Sequence, residues 1–153
     1  MAKACQDKRM QLLILSFLMW AGIDVQNAMI GKWVGVLEYR DYKEPAGSLK
    51  RVKLPTWLTV EASGEDVRLL YVYDDGPGKT VTETATMQLK GVEERGTLVL
   101  AGKGEENNVE VQVRTTLHVG RNILEITKET AAAGQPFAFR HSYTMVRAAT
   151  PKS

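Results

Sequence analysis

The chain has one cysteine, Cys5, and two histidines, His118 and His141, in 153 residues. A single cysteine excludes an intrachain disulfide and any multi-cysteine metal site. Two histidines on opposite faces of their strands do not readily supply a zinc site. No His-Glu-x-x-His, nucleophile elbow or phosphate-binding glycine loop is present. Gly102-Lys103-Gly104 lies between two strand-like runs with no helix after it, so it reads as a hairpin turn. These absences leave no catalytic residue, no metal and no cofactor to be expected. Charge of one sign is lacking too. The net charge is +2, far from the basic stripe of a nucleic-acid binder.

A hydrophobic run long enough to span a bilayer is also missing. Residues 10–23 (MQLLILSFLMWAGI) are almost continuously apolar, but a spanning helix needs roughly twenty residues. Lys3, Lys8 and Arg9 precede the run and polar or small residues follow it. That layout is a secretory signal peptide. An uncleaved anchor and a buried helix are the alternatives. The reading divides the chain into a leader at 1–28, a folded domain at 29–148 and a loose tail at 149–153. Cleavage after Ala28 fits imperfectly because Gln26 lies two places before it; Ala21 and Gly22 are other candidates. The protein is then secreted or periplasmic. Losing residues 1–28 removes Cys5, three of 20 basic residues and two of 18 acidic ones, leaving 17 against 16.

From Gly31 onward no amphipathic helix is evident. Short runs alternate apolar and polar residues with period two, the mark of half-buried strands. Trp33, Leu37 and Tyr39 oppose Lys32, Glu38 and Arg40. Residues 67–73 (VRLLYVY) end in Asp-Asp-Gly-Pro-Gly, a turn signal. Val109, Val111, Val113, Thr115 and Leu117 oppose Glu110, Gln112, Arg114 and Thr116. Pro55 interrupts the second run, which predicts a bulge or an edge, with Trp57 changing face. About eight strands joined by short links predict a single all-β, up-and-down antiparallel barrel, with a sandwich as the alternative. Charges fall on one face of most strands and apolar groups on the other. That is a water-soluble barrel rather than an outer-membrane one, so no membrane insertion of the mature chain is expected.

Gly31-Lys32-Trp33 opens the first strand, and Arg147 closes the last. This pairing resembles the Gly-x-Trp signature of the calycins, the lipocalin and fatty-acid-binding-like barrels. The resemblance implies a lipocalin-like barrel in which Trp33 packs across the closed base. A cation near the end of the last strand, here Arg147, then lies over it. The stretches 33–42 and 139–147 also look like those of small exported bacterial proteins, a likeness that carries no activity. Departures from lipocalins are the missing disulfide cysteines and the short links.

Several residues are candidates for a lumen. His141 shares a face with Phe137, Phe139, Tyr143 and Met145. Pointing inward, it is a ligand contact, an acid–base group or a hydrogen-bonded core residue. Glu83 lies among Val81, Ala85, Met87 and Leu89. Either it is an inward carboxylate that must find a partner, or the row Thr80, Thr82, Thr84 and Thr86 faces inward and Glu83 is solvated. Tyr39, Tyr71, Tyr73 and Tyr143 line a cavity or pack a core. His118 reads as solvated.

The leading expectation is a non-catalytic exported barrel. It binds a small apolar or amphipathic ligand among Trp33, Leu37, Tyr39, Glu83, Phe139, His141 and Tyr143. The calycin resemblance supplies that function; periodicity supplies only the barrel. A structural or protein-binding module with a filled core is the alternative, for example an inhibitor of an envelope enzyme. An enzyme using Glu83 and His141 as an acid–base pair is the third. A lumen of roughly 300 Å³ or more separates the first from the second.

Overall fold

Alternating sequence dictates strands, and strands with one greasy face must pair and curl to hide it. The computed structural model describes residues 25–41, 43–44, 49–94 and 97–149. Most of the expected leader and tail therefore lies outside the described residues. Nine antiparallel strands form one curled sheet: β1 (Gly31–Arg40), β2 (Arg51–Ser63), β3 (Asp66–Asp74), β4 (Thr80–Met87), β5 (Val92–Glu94), β6 (Thr97–Glu106), β7 (Val109–Val119), β8 (Ile123–Ala131) and β9 (Ala138–Arg147). A single helical turn at 25–29 precedes them. The fold is all-β, as the periodicity requires.

The order across the sheet is β4-β3-β2-β1-β9-β8-β7-β6-β5. First and last strands pair in the middle, and the seam falls between β4 and β5. About eight strands of an antiparallel barrel were expected; the described residues form a curled half-barrel sheet of nine. The extra strand is β5, three exposed residues that among the described residues pair with β6 alone. A strand this short, carrying Glu93 and Glu94, blunts its own edge rather than bridging to β4. After β4 the chain is tied back by the Leu89 amide, which donates to Asp66 Oδ1 at 3.2 Å.

A close strand approach and a tight turn each dictate the residue type. Gly35 faces Met145 across the β1–β9 ladder, and a Cβ there would strike the Thr144 carbonyl. Between β6 and β7, Asn107 and Asn108 both adopt positive φ, 51° and 61°. That is the two-residue turn whose twist suits a hairpin, and asparagine tolerates it.

The inner face carries the core. Trp33, Leu58, Val60, Val67, Leu69, Leu117, Leu124, Ile126 and Met145 are all but fully buried. Met29, from the helical turn, plugs the end of this core at 0% exposure. Val25 packs against the same cluster. The helical turn is therefore part of the folded body, although residues 25–28 of it fall within the expected leader.

Pro55 causes no bulge. The β1–β2 register runs unbroken from Gly31 opposite Val60 to Arg40 opposite Arg51. The β2–β3 ladder starts one residue later, at Thr56 opposite Tyr73, so Pro55 has no β3 partner to serve. Trp57 keeps the outward face and is 47% exposed. It belongs to an apolar row crossing the outer surface: Ile123, Val146, Val34, Trp57 and Val72 face one another on five adjacent strands. The charged outer face expected from alternation is interrupted there.

Candidate functional site

The base of the half-barrel is built around Trp33. Its indole N–H donates to the Met29 carbonyl at 2.8 Å, satisfying a buried donor. The Arg147 guanidinium lies 4.2 Å over the indole ring. It also donates to the carbonyls of Ala28 at 2.8 Å, Ile30 at 3.0 Å and Arg121 at 3.1 Å. One side chain thus ties the helical turn, the last strand and the β7–β8 link together. Gly31 sits at φ 132°, and a Cβ there would come within 2.7 Å of the guanidinium. Both facts favour glycine two residues before the tryptophan.

At the opposite end the concave face opens into a cleft of about 490 Å³. Strand β1 supplies Leu37 and Tyr39, β2 Leu54, β3 Tyr73 and β4 Val81 and Glu83. Strand β9 supplies Arg140, His141 and Tyr143, and the link after β3 supplies Asp75. Register explains the convergence: Leu37 faces Tyr143 and Leu54, and Tyr39 faces His141. A second hollow of similar volume lies beside Trp57 and the β3–β4 turn.

The cleft floor is a tyrosine stack. Tyr71 and Tyr143 have ring centroids 4.7 Å apart and Tyr71 and Tyr73 5.9 Å apart, both near-parallel. Tyr73 donates to Glu83 Oε2 at 3.1 Å, and its hydroxyl is 2.8 Å from that of Tyr143. A phenol has one proton, so the Tyr143 proton goes to Tyr73. The chain runs Tyr143 to Tyr73 to Glu83. Burial above all pushes the Tyr143 phenol up to about 12 and raises Tyr71 and Tyr73 well above their ordinary range. All three stay protonated and can donate. The register settles the orientation of β4. Glu83 faces Tyr71, so the glutamate row points to the concave side and the threonine row away from it.

His141 stands edge-on to Tyr143, with ring centroids 5.4 Å apart. Burial first, then the charges of Lys128 and Arg140, pulls its pKa down to about 4. At neutral pH it is an uncharged imidazole. Among the described residues His141 and Glu83 share no hydrogen bond; the carboxylate bonds Tyr73 instead. No group of three or more metal-ligating side chains occurs among the described residues.

Five of the expected lumen residues meet in the cleft: Leu37, Tyr39, Glu83, His141 and Tyr143. Two do not. Trp33 is 1% exposed at the base, away from the opening. Phe139 turns outward because the β8–β9 ladder shifts at Lys128/Glu129: Lys128 faces His141, but Glu129 faces Phe139. The extra residue in β9 is Arg140, and such a bulge reverses the alternation beyond it. Phe139 then lies under the outward Arg51 guanidinium at 3.9 Å, while Arg140 lines the cleft. Arg140 bonds Glu106 at 2.9 Å, and Glu106 accepts from Thr130 at 3.3 Å. Sequence reasoning missed Arg140, Asp75, Leu54 and Val81. For Arg140 the missing signal is the bulge. His118 is exposed on the outer face. Among the described residues no helix is long and apolar enough to cross a membrane. No protein-family model matches the chain, and no curated protein is similar to it.

Proposed function

We propose that this is an exported, non-catalytic binding protein that takes a small amphipathic molecule in the open end of its half-barrel. The observation that carries the reading is the cleft of about 490 Å³, greasy on one wall and furnished with fixed polar groups. Ligand sites have this composition and this size range. Leu37, Leu54 and Val81 bury the apolar part. The tyrosine hydroxyls, neutral His141 and Glu83 orient the polar part. Base and opening divide the work, because the lower half is packed solid around Trp33 and leaves the upper half for a guest.

Export rests on the charged start and the apolar run of residues 10–23. Residues 25–29 pack into the folded body, which favours a cut at Ala21 or Gly22 over one at Ala28. N-terminal sequencing of protein recovered outside the cytoplasm tests this. A start between residues 22 and 25 supports it; an intact Met1 overturns it.

Native mass spectrometry of the gently purified protein tests binding. A bound mass of a few hundred daltons, lost in Tyr39→Ala/His141→Ala, supports the cleft. A clean apo mass that persists after incubation with fatty acids, haem and quinones overturns the lipocalin-like reading. The outward row through Trp57 and Val146 favours a second reading, a module that binds another protein through its outer face.

A further inference from the structure

We propose that the guest of this cleft is an organic cation, an alkylamine or quaternary ammonium whose head sits beside Glu83 and whose tail lies against Leu37 and Leu54. The proposal rests on the cleft being a ligand site and adds the sign of the ligand's charge.

Charge bookkeeping in the lining leads to it. Four lining residues are titratable besides the tyrosines: Asp75, Glu83, Arg140 and His141. Asp75 forms an ion pair with Lys79. Arg140 pairs with Glu106 at 2.9 Å. His141 is neutral at pH 7, because burial opposes its charge. Glu83 remains. Its carboxylate accepts from Tyr73 and, among the described residues, has no cationic partner. Among the lining residues Glu83 is thus the charge without an ion pair, held in place by a phenol that is itself held by Tyr143. Lys128, whose charge reaches His141, stands opposite that histidine on β8 and, among the described residues, makes no ion pair with Glu83.

The surroundings suit a cation as well. Tyr73 and Tyr143 line the cleft and stack with Tyr71, and the Tyr73 hydroxyl at the ring's edge fixes the carboxylate in place for a cation. An anionic head placed beside Glu83 would be repelled, and the guanidinium that lines the cleft is already bonded to Glu106.

The test uses three probes with the same tail, kept below their micelle concentrations: octyltrimethylammonium, octyl sulfate and octyl glucoside. Binding to the purified full-length protein is read by isothermal calorimetry. The ammonium should bind about tenfold tighter than the sulfate, the scale of one partly screened charge contact. Glu83→Gln keeps an acceptor for Tyr73 and should erase that preference, bringing the ammonium and sulfate affinities within twofold of each other. Equal or tighter binding of the sulfate, or a preference that survives Glu83→Gln, overturns the cation and leaves the cleft standing. No binding of any probe overturns the cleft itself.

Discussion

The hydroxyls of Tyr73 and Tyr143 lie 2.8 Å apart, though 70 residues separate them in the chain. They join β3 to β9 across the cleft floor, and neither strand is the other's neighbour in the sheet. The two phenols are not equivalent. Tyr73 is the middle of the relay and Tyr143 its start.

Tyr73→Phe should therefore cost more than Tyr143→Phe. The first strands a buried hydroxyl and takes a donor from Glu83, a loss of about 1–3 kcal/mol; the second leaves the Tyr73–Glu83 bond intact and costs about 1 kcal/mol. Urea unfolding of the single and double variants gives the coupling between them. An equal or reversed order sinks the assigned direction of the relay.

Arg147 binds in three directions and over a ring, which a lysine cannot do. Arg147→Lys should lose about 2 kcal/mol of stability and Arg147→Ala about 3 kcal/mol, through abandoned carbonyls and an uncapped indole. Trp33 emission should shift to longer wavelength in both. A lysine variant as stable as the parent would show that charge alone serves at the base.

Where the folded body starts is measurable. A chain beginning at residue 29 lacks the Gln26 amide, which donates to the Gly64 and Asp66 carbonyls at 2.8 Å each, and lacks the Ala28 carbonyl under Arg147. It should be less stable than a chain beginning at residue 25 by about 2–3 kcal/mol, at about 1 kcal/mol per lost bond. Matching urea midpoints for the two chains would make the helical turn dispensable.

His141 makes stability fall with acid in a defined window. Its folded pKa of about 4 is below the ordinary 6.5, so the unfolded chain takes up the proton first. Its stabilising contribution is complete above pH 6.5 and declines as pH drops towards 4. His141→Gln should remove that decline, so the stability difference between parent and variant should shrink by on the order of 2 kcal/mol from pH 7 to 4.5. Parallel stability–pH curves would contradict a buried neutral imidazole.

Sequence legibility followed the range of each interaction. Gly31, Trp33 and Arg147 were legible through the calycin resemblance, which implied a cation over an indole at one end; composition and periodicity alone placed them only at the ends of the first and last strands. Tyr39, His141 and Tyr143 were readable because alternation carries short runs onto one face. Phe139 was not, since one inserted residue at Arg140 inverts every position beyond it and leaves no mark in the apolar pattern. The facing of Glu83 stayed open because β4 alternates threonine with residues of mixed character. Only its pairing with Tyr71 decides, and pairing is not local. Strand β5 is three residues long, shorter than any periodicity can register.

The central β1–β9 ladder has a consequence for how the molecule comes into being. Ile30 and Arg147 are 117 residues apart, yet they are bonded. A chain emerging from its N-terminus holds β1 with a single neighbour until the last strand is delivered, and until then Trp33 has no lid. Such late, long-distance closure slows folding and leaves a sticky half-made sheet exposed meanwhile. The final ten residues of β9 thus act as the keystone: everything before them can be synthesised, but none of it can be locked.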